Sequence, residues 1–412
     1  MEVVHPVCCG LDVHKREVTA DLVWRDQRGS RQHEVRTFDT TTGQLLALGD
    51  WLQTRSCPII AIESTGVYWK PIYNLLETEF EVMLVNPTHL KHVKGRKTDV
   101  QDAVWLAELL EHGLLRASFI PPREIRDARE ITRYRRRQVQ IRAGEVNRLQ
   151  KIMEDANLKL GSVVSNVMGV SARAILEALL GGVADPATLA QLAKGKLRAK
   201  QAELTAALEC RLRPNHALLL GEILGHIDYL DESIAHLDQA IEELLRPFQE
   251  QISLLTTIPG VDQRSAQEIV AEIGVDMSVF PSHAHLGSWA GVCPGNNQSA
   301  GKRKSGKTAD GNKWLRACLV QCAHAAARSK DTYLGVRYHR LAKGKKTQRA
   351  AVAIAHNILD AAYFLLRDGV AFRELGADFY DKLNAAQIVR SCTKRLNDQG
   401  YSVTLTPLAQ AA

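Results

Sequence analysis

The first hundred residues change repeatedly between two kinds of hydrophobic pattern. Strands show as short apolar runs or as alternation with period two, and helices as apolar residues three or four apart. Seven elements are predicted in this order: strands 7–11, 17–24 and 31–38, a helix 42–54, a strand 58–62, a helix 69–78 and a strand 80–85. The first three strands are close in sequence and are joined by short turns, so they form a meander.

This order of elements is that of an α/β, ribonuclease H-like domain, although other α/β folds share pieces of it. A further helix is predicted to follow, with Asp99 and Asp102 in its first turn before the run Ala103 to Gly113. We expect the first domain to span residues 1–122.

From residue 123 to residue 248 the pattern is helical and almost free of strands, and a break that contains Gly, Ser and Asn interrupts it at 161–182. Eight apolar residues repeat there at alternating spacings of three and four, which is a coiled-coil seam: Leu220, Ile223, Ile227, Leu230, Ile234, Leu237, Ile241 and Leu244. The seam needs a partner helix, either 123–157 of the same chain or a helix of another subunit. We expect a helical coiled-coil arm over 123–250, and we favour an oligomer.

The last part of the chain is predicted to be mainly helical. The turn 258–261 is followed by Ser265 and, three residues later, Glu268, a spacing typical of a capping box for a helix 266–273. This resembles a helix-hairpin-helix element, in which Gly260 would approach a DNA phosphate, but it also fits an ordinary helix connection. A polar loop (295–313) and basic helices follow, the last at 347–367. The predicted domain spans 251–375, and 376–412 is a tail.

Composition and charge narrow the class of protein. The hydrophobic fraction of 45% and the charged fraction of 24% are those of a folded globular chain, which excludes collagen-like and disordered classes. The net charge of +7 is concentrated in one segment, since 302–349 holds 14 Lys or Arg and two acids. A second basic segment, 123–151, includes Arg133, Arg135, Arg136 and Arg137. Each segment alone could be a solvated face, but together they favour nucleic acid as the partner.

Targeting and cysteine patterns indicate a cytoplasmic protein. The N-terminus has no secretory pattern, and the late apolar stretch 350–366 is interrupted by polar residues, so no membrane span is expected. The eight cysteines are scattered, which is typical of reduced thiols. Cys318, Cys322 and His324 lack a second ligand pair, so we assign the two cysteines to a helix core rather than to zinc.

Four acids stand at positions suited to metal chemistry. Asp12 follows the first apolar run, Glu63 ends the fourth strand, and Asp99 and Asp102 lie three residues apart in the first turn of a helix. Any one of them could simply be a cap or a solvated acid. Four convergent carboxylates could hold two Mg²⁺ ions about 4 Å apart, as in phosphodiester cleavage.

The polar loop contains a misleading match. Residues 301–308 fit the P-loop pattern, but the required strand before it and helix after it are missing, so no ATP is expected. Ser299 lies in the same loop, and spacing alone makes it an ordinary polar residue because no histidine is adjacent in sequence.

Six motifs, in this order, resemble the DEDD insertion-sequence transposases of the one-ten family. They are Gly10-Leu11-Asp12-Val13-His14-Lys15, Ile62-Glu63-Ser64-Thr65-Gly66, Val85-Asn86-Pro87, Lys97-Thr98-Asp99 with Asp102-Ala103, Ile258-Pro259-Gly260-Val261, and Ala290-Gly291-Val292-Cys293-Pro294 with Ser299-Ala300-Gly301-Lys302. The resemblance covers about residues 7 to 370. It implies a RuvC-like nuclease domain, a coiled-coil arm and a C-terminal transposase domain with a nucleophilic serine.

The resemblance also implies roles for particular residues. Asp12, Glu63, Asp99 and Asp102 match the metal-binding acids, and Ser299 matches the serine that attacks DNA. From charge and nearness in sequence we expect Lys302, Arg303 and Lys304 to stabilise the transition state, and Lys307 and Lys313 to contact the nucleic acid.

The partners implied by the resemblance are donor and target DNA, a structured bridge RNA, and further copies of the chain as dimers that pair into a tetramer. A bacterial protein associated with the nucleoid is expected. Two alternatives stay open at this point: a junction-resolving hydrolytic nuclease that uses only the four acids, and an inactive nucleic-acid-binding scaffold.

Overall fold

The chain divides into two compact units, Met1–Ile120 and Pro121–Ala412. A computed structural model describes residues 2–63, 66–86, 99–295, 297–299, 302–305, 308, 310–344 and 347–406, without the side chains of 99–101, 297–299 and 302–305. The predicted boundaries at 250 and 375, within the second unit, stay predictions.

The first unit is built on a five-stranded mixed sheet of order β3-β2-β1-β4-β5. Strands β1 to β3 are antiparallel neighbours, whereas β1, β4 and β5 run parallel. The elements are β1 Cys8–Val13, β2 Glu17–Arg25, β3 Arg31–Asp39, α1 Thr42–Gln53, β4 Ile59–Glu63, α2 Trp69–Leu76, β5 Glu81–Val85 and α3 Asp99–Glu111. The predicted order of strands and helices is confirmed.

The two faces of this sheet pack against different helices. Leu11 of β1 lies in a core shared with α1 and α2, which contribute Leu48 and Ile72. On the other face, Cys8 packs with Ala107 and Leu110 of α3. Because side chains alternate along a strand, Gly10 and Asp12 share the α3 face with Cys8.

In the second unit two long helices, α4 (Arg123–Asp155) and α9 (Pro214–Leu244), form an antiparallel hairpin. Two ion pairs, Arg135–Asp238 and Arg142–Asp231, and a hydrogen bond between His216 and Asp155 show that the helices run in opposite directions. The seam residues Leu220, Ile227, Leu230 and Ile241 are buried within one chain. Within this chain α4 packs along α9, and the expected contact with a helix of another subunit stays a prediction.

Residues between the two long helices form a small helical insertion. Its elements are α5 Leu160–Val163, α6 Val170–Leu180, α7 Pro186–Ala190, a 3₁₀ segment Gly195–Lys200 and α8 Gln201–Leu208. The core of the insertion includes Ile175, Leu189 and Leu204 and continues into Leu149 and Leu220 of the two long helices. The insertion is thus anchored on the end of the hairpin.

The remaining elements are a 3₁₀ turn Arg246–Phe248, α10 Gln249–Thr256, α11 Gln263–Ile273, a 3₁₀ turn Met277–Val279, α12 His283–Trp289, β6 Asn297–Ser299, β7 Lys302–Ser305, α13 Lys313–Arg328, α14 Tyr333–Gly344, α15 Thr347–Asp368, α16 Phe379–Leu383 and α17 Ala385–Asp398. Two sequence expectations were wrong. The stretch at 295–313 is not all loop, because β6 and β7 pair within it. Helix α11 begins before Ser265, because the Asp262 carboxylate accepts the Ser265 amide at 2.8 Å and caps the helix.

Helix α15 is long and apolar enough to span a membrane by length and hydropathy, but half of its most apolar stretch is buried inside the protein. Its residues Ile354, Ile358 and Ala362 are fully buried, as in a core helix. All eight cysteines are free, and Cys318 and Cys322 lie in the buried face of α13, which confirms their assignment to the core.

Candidate active site and nucleic-acid contacts

Two of the predicted acids stand side by side at the ends of parallel strands. Leu11 of β1 is paired with Ile62 of β4, and the next residue in each strand is Asp12 and Glu63 respectively. By the alternation of the strands both acids face α3. The sheet alone therefore brings two carboxylates to one edge of the first unit.

Helix α3 delivers the third acid because it lies unusually close to β1. A Cβ atom on Gly10 would stand 2.4 Å from the Ala103 carbonyl oxygen and 2.5 Å from the Ala107 nitrogen, so only glycine allows this approach. Asp102 precedes Ala103 and is half-buried. The close crossing places it next to Asp12, two residues beyond Gly10.

The pKa of Asp12 reflects the charges of the two neighbouring acids. Partial burial raises the pKa of the Asp12 carboxyl above its usual value; His14 opposes the rise, whereas the negative charges of Asp102 and Glu63 add to it. The His14 Nε2 atom lies 3.1 Å from the Asp12 Oδ2 atom. Three of the four predicted acids thus act on one another.

Asp99 begins α3, one turn before Asp102, but its side chain lies outside the described atoms. Among the side chains that the structure describes, no three His, Cys, Asp or Glu residues form a group compact enough to bind a metal. Carboxylate oxygens such as those of Asp12, Glu63 and Asp102 are ligands of the type that hard divalent cations take.

Ser299 lies in a two-stranded hairpin. It is paired with Lys302, and Pro294 forms a bridge with Thr308 at the open end. The side chains of Ser299, Lys302, Arg303 and Lys304 are outside the described atoms, and Lys307 is outside the described residues. The helix after the P-loop-like motif begins only at Lys313, which contradicts a P-loop.

The base of this hairpin is held by contacts that the sequence did not indicate. A Cβ atom on Gly311 would lie 2.3 Å from the Gly291 nitrogen, so the two ends of the hairpin touch through glycine. The Asn312 Nδ2 atom donates to Glu272 Oε2 at 2.6 Å, and the Cys293 thiol lies 3.7 Å from His356 Nε2. In the sequence, the two glycines could have signalled a close approach of the backbone. The contacts of Asn312 and His356 join distant segments and leave no local sequence pattern.

Of the four arginines of α4 predicted to bind nucleic acid, three are paired with acids and one is exposed. Arg133 donates twice to Glu272, both at 2.7 Å, and Arg136 donates to Glu268 at 2.8 Å. Arg135 pairs with Asp238. Arg137 is exposed. Three of the four cations are therefore neutralised by acids of the second unit, and their nucleic-acid role stays a prediction.

Gly260 and Lys313 were also predicted to contact nucleic acid, and the structure shows protein contacts at both residues. Gly260 has a φ of +90°, and a Cβ atom there would lie 2.5 Å from the Cys322 carbonyl oxygen on α13. Its glycine is therefore required by packing, whether or not a phosphate binds. Lys313 is exposed, with its ammonium 5.6 Å from the centre of the Trp314 ring.

Comparison with protein families gives two matches that follow one another along the chain. A DEDD transposase model matches residues 9–157. A model of the IS116/IS110/IS902 transposase family matches residues 252–339. The insertion and the whole of α9 lie between the two matches.

Individual relatives match a smaller part. An uncharacterized 43.6 kDa protein of insertion element IS110 from Streptomyces coelicolor is 28% identical over 160 residues, 36% of this chain and 39% of the relative. A pilin gene-inverting protein of Moraxella bovis is 30% identical over 36% of this chain and 47% of its own. The chain thus spans less than half the length of these curated relatives. A fowlpox virus resolvase, solved with Holliday junction DNA, has a TM-score of 0.21 at 14% identity and covers 27% of this chain and 99% of its own.

Proposed function

Because the chain belongs to the IS116/IS110/IS902 family of transposases, we propose that it is a Mg²⁺-dependent DNA recombinase that cleaves and rejoins strands through Ser299. The observation that carries the proposal is the convergence of Asp12, Glu63 and Asp102 where α3 crosses β1 at Gly10. Three carboxylates so close together repel a phosphodiester unless cations bind between the carboxylates and the phosphate.

Asp12, Glu63, Asp99 and Asp102 would hold the Mg²⁺ ions. Bound there, the metal supplies positive charge to the attacking and leaving oxygens of a phosphodiester. The chain's own part is to fix the carboxylates: β1 and β4 set two of them by register, and the tight crossing of α3 sets a third. His14, beside Asp12, adds a donor that orients that carboxylate.

Ser299 would act as the nucleophile. Its Oγ atom loses its proton as the Oγ–P bond forms, the P–O bond to the leaving strand breaks, and the leaving oxygen takes up a proton. The phosphoserine link keeps the energy of the phosphodiester for rejoining, in which the same bonds form and break in reverse. Lys302, Arg303 and Lys304 follow on the paired strand, where cations can stabilise the charge of the pentavalent phosphorus.

The proposed substrates and partners are those that the family resemblance implies. Donor and target DNA, a bridge RNA that selects them by base pairing, and a dimer that assembles into a tetramer complete the proposal. The basic segment 302–349, with 14 cations against two acids, supports a polyanionic substrate. A hydrolytic nuclease that uses only the four acids is the alternative outcome of the test.

The test is a covalent protein–DNA adduct. Purified protein, RNA transcribed from the flanks of the element, Mg²⁺ and end-labelled DNA are mixed and resolved on a denaturing gel. We expect an adduct band that is lost in Ser299→Ala and in Asp102→Asn but retained in two matched controls. Ser305→Ala changes a serine on the opposite strand of the hairpin, and Asp50→Asn changes an exposed acid of α1. Cleaved DNA without an adduct would refute the serine mechanism in favour of hydrolysis.

A further inference from the structure

The helical insertion carries an open groove that neither family match includes. The groove has a volume of about 590 Å³ and lies between the stretch 163–172 and the 3₁₀ segment Gly195–Lys200. Three lysines line it, Lys194, Lys196 and Lys200, with no acid among its lining residues. Valine and leucine side chains also line it, and Ser165, Asn166 and Ser171 supply hydroxyl and amide groups.

The cations of this segment are available to a ligand. Lys194, Lys196 and Arg198 are exposed and, within the described part of the chain, form no ion pair. Lys200 lies 3.5 Å from Glu203, but both groups are solvated, so this pair is weak. The arginines of α4 differ, because several of them are already paired with buried or half-buried acids.

Backbone groups add to the positive potential of the groove. Helix α6 begins at Val170 without a side-chain cap, and its first residues line the groove. The exposed N–H groups of a helix start and its dipole favour anions, phosphates in particular. The Ser171 Oγ atom accepts the Lys194 amide at 2.9 Å, which ties the lysine segment to this helix start. Ammonium groups and backbone donors therefore lie together at one rim.

We propose that this groove binds the sugar–phosphate backbone of a nucleic acid. Lys194, Lys196, Arg198 and Lys200 are four cations in seven residues. The six-residue 3₁₀ segment Gly195–Lys200 rises roughly 12 Å, and a duplex strand carries one phosphate per 3.4 Å of axis, so about three phosphates lie alongside it. The spread of charge thus fits a polyanion better than a single small anion. The proposal extends the function proposed above and does not depend on the serine chemistry.

The test measures the salt dependence of binding with two probes, a 20-bp RNA duplex and a 20-bp DNA duplex of the same sequence. Fluorescence anisotropy gives the affinity of the full chain between 50 and 200 mM NaCl. In Lys194→Gln/Lys196→Gln we expect the slope of log affinity against log salt to become shallower by about 1.8, since each lost phosphate contact contributes about 0.9. Over this salt range that change amounts to about 12-fold in affinity.

The control is Lys394→Gln/Arg395→Gln, which removes the same charge from exposed positions of α17. A shallower slope in the groove variant alone supports the site; if it occurs with one probe only, that probe identifies the nucleic acid. An unchanged slope, or an equal change in both variants, would overturn the proposal. Retained adduct formation in the groove variant would show that such a failure concerns the groove and not the serine mechanism.

Discussion

Gly10→Ala tests whether the tight crossing of α3 over β1 builds the acid site. The added Cβ atom would lie 2.4 Å from the Ala103 carbonyl oxygen and 2.5 Å from the Ala107 nitrogen, both of them backbone atoms. No side chain can rotate away to make room, so α3 has to move by about 1 Å. Overpacking of this kind costs about 1–3 kcal/mol.

The same movement carries Asp102 away from Asp12. A displacement of about 1 Å in an active site can cost about 100-fold in rate. We therefore expect Gly10→Ala to lower adduct formation by about two orders of magnitude and to lower the thermal midpoint of the first unit by about 8 °C, for a loss near 2 kcal/mol. Both are measured on one preparation, by the gel assay and by calorimetry.

Gly43→Ala is the matched control. Gly43 lies in α1 of the same unit with nothing within 4 Å of an added Cβ atom, so alanine there should stabilise the protein by about 0.5 kcal/mol and leave activity unchanged. The reasoning is refuted if Gly10→Ala behaves like Gly43→Ala in both measurements. A loss of stability with full activity would show that the crossing supports the fold but does not position Asp102.

Three further predictions concern stability and reactivity. Burial raises the pKa of the Glu111 carboxyl, which is 1% exposed, but hydrogen bonds and charges of two arginines lower it by more, so this pKa lies below its usual value. Glu111→Gln should therefore cost about 3 kcal/mol in denaturant titration. Glu34→Gln, at a side chain that is 38% exposed, should cost under about 0.5 kcal/mol. Asp262→Ala removes a helix cap and should cost about 1 kcal/mol at pH 7. Burial raises the pKa of the Asp262 carboxyl, but hydrogen bonds from Ser265 lower it by more, so this pKa is lower in the folded protein than in the unfolded chain. The contribution of the cap to stability is therefore present above the unfolded pKa near 4 and is lost as the pH falls below it. A difference in stability between Asp262→Ala and the wild type that stayed constant down to pH 2 would contradict this account. Exposed Cys392 should react first with a thiol reagent, and labelling of native Cys8, whose pKa burial raises to about 12, at the same rate would count against the fold.

Local patterns were sufficient for the order of elements. Alternation along 17–24 and 31–38 and the helical spacing at 42–54 depend on which side of each element is buried, and burial repeats with the period of the element itself. The same holds for the seam from Leu220 to Leu244, whose spacing specifies a buried stripe. The ends of the strands, and hence the positions of Asp12 and Glu63, follow from the same patterns.

The partner of each buried face was decided only by the tertiary structure. The seam packs on α4 of its own chain, and Arg133 and Arg136, predicted to contact nucleic acid, pair with Glu272 and Glu268 more than 130 residues away. A basic run has the same sequence signature whether its charges face solvent or acids from another segment. The sequence also did not identify Asp262 as the helix cap, because Ser265, three residues later, gives an equally good capping pattern.

The acid site combines both kinds of information. Strand register and sequence placed Asp12 beside Glu63, but the approach of Asp102 depends on a helix crossing a strand at a residue without a side chain. Gly10 alone signals that something comes close, without saying what. Sequence determines which surfaces are buried because hydrophobicity is a property of each residue, whereas the pairing of those surfaces depends on shape and charge between segments far apart in the chain, which only the folded protein contains.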